Sequence, residues 1–110
     1  MGTNYTGLGL NEYQIEAMSF RLPSASPEYA VLGLSAEVGE LHSLISKAMR
    51  DGRKMDYDQN VKKELGDILW NVAAVALDHG YTLEDIAAGN IVKLSGRKDN
   101  NTIQGSGDNR

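Results

Sequence analysis

Two stretches decide the fold of this 110-residue chain: Leu34-Ser-Ala-Glu37-Val-Gly-Glu40-Leu-His-Ser-Leu-Ile-Ser-Lys-Ala48 and Val61-Lys-Lys-Glu64-Leu-Gly-Asp67-Ile-Leu-Trp70-Asn-Val-Ala-Ala-Val-Ala76. Apolar residues return every three or four positions in both. Leu34, Val38, Leu41, Ile45 and Ala48 mark one stripe; Val61, Leu65, Ile68, Leu69, Val72, Ala73 and Ala76 mark the other. This is the period of a helix buried along one face. Set into the stripes are two acid pairs, Glu37 with Glu40 and Glu64 with Asp67. A spacing of three puts both members of a pair on one helical face. Carboxylates at a surface meant for burial are costly unless a positive charge compensates them, and a divalent cation is the simplest such charge.

The register points the same way. In an antiparallel helical hairpin, residues equidistant from the turn stand at one level. Residues 37 and 67, and residues 40 and 64, are equidistant from Gly52, which sits in the polar run Asp51-Gly-Arg-Lys-Met-Asp-Tyr-Asp58. Four acids are therefore expected to converge across a helix–helix gap of about 8–10 Å.

Around this hairpin the sequence predicts two further helices. Asn11, with Gln14 three residues on, reads as a capping box for a first helix ending near Arg21, before Pro23. Ser26-Pro27-Glu28 opens the second, which is expected to stop at Asp51-Gly52. Gly33 and Gly39 weaken that helix by about 1 kcal/mol each relative to alanine, a cost that points to close approach of a helix or ligand. Asp56 or Asp58 caps the third helix, and His79-Gly80 ends it. Thr82, with Asp85 three later, opens a fourth through Ile86, Ala87, Ile91 and Leu94, with its end expected near Gly96. No period-two strand pattern survives, so the expectation is an all-α, four-helix bundle-like fold. Residues 1–10 read as a Gly-rich arm, residues 1–98 as one domain, and residues 99–110 as a flexible polar tail.

Bulk composition narrows the function. The chain is 41% hydrophobic and 24% charged with net charge −4; it lacks the basic surface a general nucleic-acid binder needs. It contains no cysteine, so disulfides and thiolate metal sites are excluded. No run approaches the roughly 18 apolar residues of a membrane span, and the first residues carry no signal pattern. A cytoplasmic protein with no nucleic-acid or membrane partner is the expectation. Small helical domains of this kind often complete their burial by self-association.

Four carboxylates without a neighbouring histidine specify hard-ion chemistry, Mg²⁺ or alternatively Mn²⁺, with oxygen ligands and exchangeable waters. The Glu-x-x-His motif of iron carboxylate bundles is missing. With such an ion the reaction expected is hydrolysis of a phosphoanhydride, one carboxylate taking the proton of the attacking water. Basic residues must then hold the outer phosphates: Lys47, seven after Glu40, is one candidate, and Asn90, Lys93 and Arg97 form a stripe of donors on the fourth helix, where capping is the competing explanation. Trp70 reads either as a packed tryptophan or as a wall of a nucleobase pocket. Tyr13 and Gln14 are candidates to face the same pocket, and the tail's Gly-Ser-Gly-Asp-Asn-Arg is a candidate phosphate-binding flap.

Taken together, Glu37-Val-Gly-Glu40, Glu64-Leu-Gly-Asp67-Ile-Leu-Trp70, Asn90-Ile-Val-Lys93-Leu-x-x-Arg97 and the ending Thr102-Ile-x-Gly-Ser-Gly-Asp-Asn-Arg110 resemble the MazG-like all-α nucleoside triphosphate pyrophosphohydrolases, over about residues 10–110. The resemblance implies cleavage of an NTP or dNTP between the α and β phosphates, dependence on Mg²⁺, and a homodimer or a homotetramer built as a dimer of dimers. It implies that Glu37, Glu40, Glu64 and Asp67 are metal ligands and catalytic residues, and that Asn90 and Lys93 touch substrate, often across the subunit interface. Relatives commonly carry tyrosine after the tryptophan; Asn71 stands there in this chain and bears on base selectivity. Two other readings stay open: a non-catalytic metal–nucleotide adaptor or sensor, and a structural oligomer whose acids pair with a neighbour's Lys or Arg.

Overall fold

The computed structural model describes residues 5–108. Four helices follow in order: α1 (Leu10–Met18), α2 (Pro27–Asp51), α3 (Tyr57–Asp78) and α4 (Leu83–Asp99). Among the described residues there is no strand, and no helix is long and apolar enough to cross a membrane. Of the expected N-terminal arm, residues 1–4 lie outside the described residues, as do residues 109–110 of the tail.

The α2–α3 hairpin is the frame. Ser26 Oγ accepts the Tyr29 amide and Pro27 is the first helical residue, so α2 begins where its sequence signals stand. It ends at Gly52, whose φ of 88° only glycine adopts without strain. One close approach sets the seam. A Cβ built on Gly33 would lie 2.6 Å from Asn71 Oδ1, so glycine on α2 is what admits an asparagine opposite it on α3. Gly39 faces open space, so the first of the two α2 glycines serves packing and the second does not.

α1 departs from the expected capping. It starts after Gly9, and no side chain caps it. Asn11 lies inside the helix and reaches across to α4, donating to Glu84 Oε2 at 2.9 Å and accepting the Glu84 amide at 3.0 Å. Gln14 is a buried clamp rather than a capping partner. Its Nε2 donates to the Ala73 and Tyr81 carbonyls at 3.1 and 3.2 Å, and its Oε1 accepts the Leu83 amide at 3.0 Å. The turn from α3 into α4 thus has its backbone groups satisfied by one side chain from α1, which is what a buried turn requires. A bidentate pair between Arg21 and Asp78, at 2.9 and 2.8 Å, ties the segment after α1 to the end of α3.

α4 opens on the expected capping box of Thr82 and Asp85 but runs through Gly96 to Asp99. Asn101 (φ 56°), not glycine, reverses the chain: its amide bonds to the Lys98 carbonyl and the Thr102 amide to the Arg97 carbonyl at 2.7 Å. This is a Schellman turn with asparagine, the non-glycine residue that best tolerates the left-handed region, in the reversing position.

Apart from Leu83, the buried apolar residues are alanines: Ala17, Ala30, Ala73, Ala74 and Ala76. Meanwhile Ile15, Phe20, Leu32, Val92 and Ile91 are all more than 60% exposed. α4 packs on α1 and α3 and makes no contact with α2. The radius of gyration, 16.8 Å, exceeds the roughly 13 Å of a compact chain of this size. The described fold is an open bundle with unpartnered apolar faces.

Candidate functional site

Glu37 from α2 and Glu64 and Asp67 from α3 meet across the hairpin, offering one oxygen each with all three within 4.8 Å of one another. The first two are half-buried and Asp67 is exposed. The structure brings three of the four expected acids together. Glu40, one turn beyond Glu37, is exposed and stays outside the group.

The electrostatics are those of an uncompensated site. Burial, followed by the charges of Asp67 and Glu64, pushes the Glu37 carboxyl above the usual glutamate range; the nearby Glu40 charge acts in the same direction. Glu64 Oε2 is buried and has no hydrogen-bond partner. No Lys or Arg pairs with any of these carboxylates in the ion pairs of the described residues. A buried orphan acceptor inside a group of acceptor-only side chains is a donor set that fits a hard divalent cation.

Beside the acids opens a cavity of 500 Å³ lined by Tyr29, Leu32, Gly33, Ala36, Glu37, Asp67, Trp70 and Asn71. Trp70 is half-buried, and its indole Nε1 donates to the Ala17 carbonyl at 2.9 Å, which fixes the ring against α1. Asn71 is buried; its amide nitrogen donates to the Asp67 carbonyl at 2.9 Å, and its oxygen faces Gly33. Tyr13 lines an adjoining apolar cavity with Tyr5, Leu8, Phe20 and Trp70. Desolvation, then the Asp67 charge, pushes its phenol above the usual tyrosine range. Tyr13 therefore lies in the field of the acid group, whereas Gln14 points away into its clamp.

The remaining sequence candidates lie elsewhere. Lys47 is exposed and lines a separate cavity at the hairpin turn with Lys54, Asp51 and Tyr57. Asn90 is exposed on α4, Lys93 is half-buried and Arg97 is buried. Lys93 Nζ and Arg97 Nη2 share one oxygen of Asp108 at 3.2 Å each. None of the α4 residues lines the Trp70–Asn71 cavity of the same chain. His42 and His79 are exposed, and His79 Nδ1 lies 2.8 Å from the Val75 carbonyl.

Sequence reasoning passed over Tyr29, Leu32 and Ala36, and named Asp108 only as part of the tail's Gly-Ser-Gly-Asp-Asn-Arg. For Tyr29 a signal existed: it stands four before Gly33 and eight before Glu37, on the line of the seam. For the pairing of Asp108 with Lys93 and Arg97 there was none, because it depends on the reversal at Asn101.

The chain is also similar in sequence to known proteins. The sequence model of the MazG nucleotide pyrophosphohydrolase domain matches residues 25–102. The chain is 39% identical over 85 residues to a Mycobacterium phage L5 protein named Gene 37 protein, the match covering 74% of this chain and 75% of that one. No solved structure gives a significant match.

Proposed function

The chain belongs to the MazG nucleotide pyrophosphohydrolase family, and from that premise we propose that it hydrolyses a nucleoside or deoxynucleoside triphosphate between the α and β phosphates. Water adds across the anhydride bond, and a nucleoside monophosphate and pyrophosphate leave. The observation that carries this reading is the convergence of Glu37, Glu64 and Asp67, with one buried oxygen lacking any partner.

Those three residues would hold a divalent cation, Mg²⁺ or Mn²⁺. When bound, such an ion neutralises phosphate charge and lowers the pKa of a coordinated water. Glu40, close enough to raise the Glu37 carboxyl yet outside the group, is the carboxylate available to take the proton of the attacking water. The 500 Å³ cavity adjoins the acids, so Trp70 would stack the base while Asn71 presents an amide to its edge. Asn90, Lys93 and Arg97 would bind phosphates, and Lys47, about 10 Å along α2 from Glu40, would meet only the outer end of the polyphosphate. No α4 residue lines this cavity in its own chain, so these α4 donors would reach the acids of a second copy. The exposed Ile91 and Val92 beside them favour a homo-oligomer that completes each site.

A panel of NTPs and dNTPs with Mg²⁺, read separately for pyrophosphate and orthophosphate, tests the proposal. Pyrophosphate and monophosphate in equal amounts from at least one member is the expected result. Nucleotide binding with no product from any member would leave the chain a metal–nucleotide sensor.

A further inference from the structure

The C-terminal segment does not simply trail from α4. The Schellman turn at Asn101 sends residues 102–108 back along the helix, and Gly107 (φ 83°) turns the chain again just before Asp108. The segment thereby places a carboxylate on the two α4 cations. Lys93 Nζ donates to Asp108 Oδ1 at 3.2 Å. Arg97 Nη2 faces the same oxygen at 3.2 Å and the Asp108 and Gly107 carbonyls at 3.3 and 3.4 Å.

These contacts are long for charge-assisted bonds, which close to about 2.7–2.9 Å when the partner is well matched. The mismatch is visible in the arginine itself. Nε and Nη2 form one edge of the planar guanidinium, suited to an acceptor with two oxygens. The segment engages Nη2 alone, and Nε is buried with no partner. The competing carboxylate side chain is 82% exposed while Arg97 is 7% exposed, so the cation is built into the fold and its present anion is not. A phosphate group has oxygens enough for both prongs of Arg97 and for Lys93, and more charge than one carboxylate.

We propose that Asp108 is an internal competitor for phosphate: its carboxylate holds Lys93 and Arg97 until the phosphates of a nucleotide displace it, so that the C-terminal segment and the polyphosphate exchange on one site. This rests on the reading that the α4 cations take substrate phosphates. It adds that the free chain inhibits that contact with its own C-terminal segment. Neither cation is left bare in the free chain, and a weak anion must leave before a strong one binds.

The test uses the full-length chain and inorganic tripolyphosphate, titrated by calorimetry with EDTA present. Asp108→Asn removes the competing charge and is expected to tighten binding about threefold, the scale of an exposed ion pair; Lys93→Ala is expected to weaken it. If Lys93→Ala weakens binding while Asp108→Asn leaves it unchanged or weakens it too, the competition is overturned and the phosphate contact stands. If Lys93→Ala changes nothing, the phosphate contact itself falls. A second readout does not depend on either substitution. The chain has no cysteine, so Ser106→Cys accepts a single nitroxide, whose spectrum is expected to sharpen as tripolyphosphate frees the segment. An unchanged spectrum at saturation would overturn the exchange.

Discussion

Replacing Glu64 by glutamine separates a metal site from an ion-paired one, because the two arrangements predict opposite signs. In the metal-free chain three carboxylate oxygens lie within 4.8 Å of one another. Two full charges at that distance repel by about 3.5 kcal/mol at an effective dielectric of 20 and by about 0.9 kcal/mol in water. Glu64 is half-buried and Asp67 exposed, so the true value lies between, and Glu37 escapes part of it by taking up a proton more readily than usual. Glutamine removes one charge from two such pairs and keeps the shape. It is therefore expected to stabilise the metal-free chain by about 1–2 kcal/mol. If the proposed metal site is right, the same substitution also removes a ligand. Saturating Mg²⁺ is expected to stabilise the wild type by about 2.7 kcal/mol at a hundredfold excess over Kd and to leave the variant unaffected. Urea unfolding in EDTA and in Mg²⁺ reads both effects. A variant less stable than wild type in EDTA, yet equally stabilised by Mg²⁺, would refute the reasoning and point to a cationic partner at Glu64.

Gln14→Leu leaves the Leu83 amide and the Tyr81 carbonyl without their clamp; urea unfolding is expected to show a loss of about 2–4 kcal/mol, and a loss below about 0.5 kcal/mol would mean water replaces the clamp at no cost. Gly33→Ala drives a methyl into Asn71 Oδ1 and is expected to cost about 1–3 kcal/mol, less up to about 1 kcal/mol of helix propensity. Adding Asn71→Ala to that variant should recover most of the difference, and a strictly additive pair would contradict the contact. Arg21, chiefly through its hydrogen bonds, holds the Asp78 carboxyl below the usual aspartate range. Its contribution to stability is thus complete above that range and lost as pH falls through the depressed value, whereas Asp78→Asn should flatten the acid limb of stability against pH.

How far the sequence alone reaches depends on whether a residue's partner is local. Glu37 and Glu64 announced the hairpin because helical period and register are one-dimensional properties, and the Ser26-Pro27 start and the Thr82–Asp85 box are complete within four residues. Asn11 and Gln14 matched a capping box by spacing, but they bond instead about seventy positions away, Asn11 to Glu84 and Gln14 to the Tyr81–Leu83 turn. Gly96 looked like the end of α4 because glycine is the usual reversing residue; Asn101 performs the reversal instead, and it carries Asp108 onto Lys93 and Arg97. The nearness of Asn71 to Gly33 was hidden for a related reason: a missing Cβ is legible in sequence, but what fills its space is not.

On the function proposed, the acids of the hairpin hold a divalent ion at the mouth of the Trp70 cavity. Titrating the chain with Mn²⁺ and following free Mn²⁺ by electron paramagnetic resonance tests it most directly. Wild type is expected to quench the free signal saturably and Glu64→Gln to leave it standing. A wild-type chain that takes up no Mn²⁺ would contradict the account.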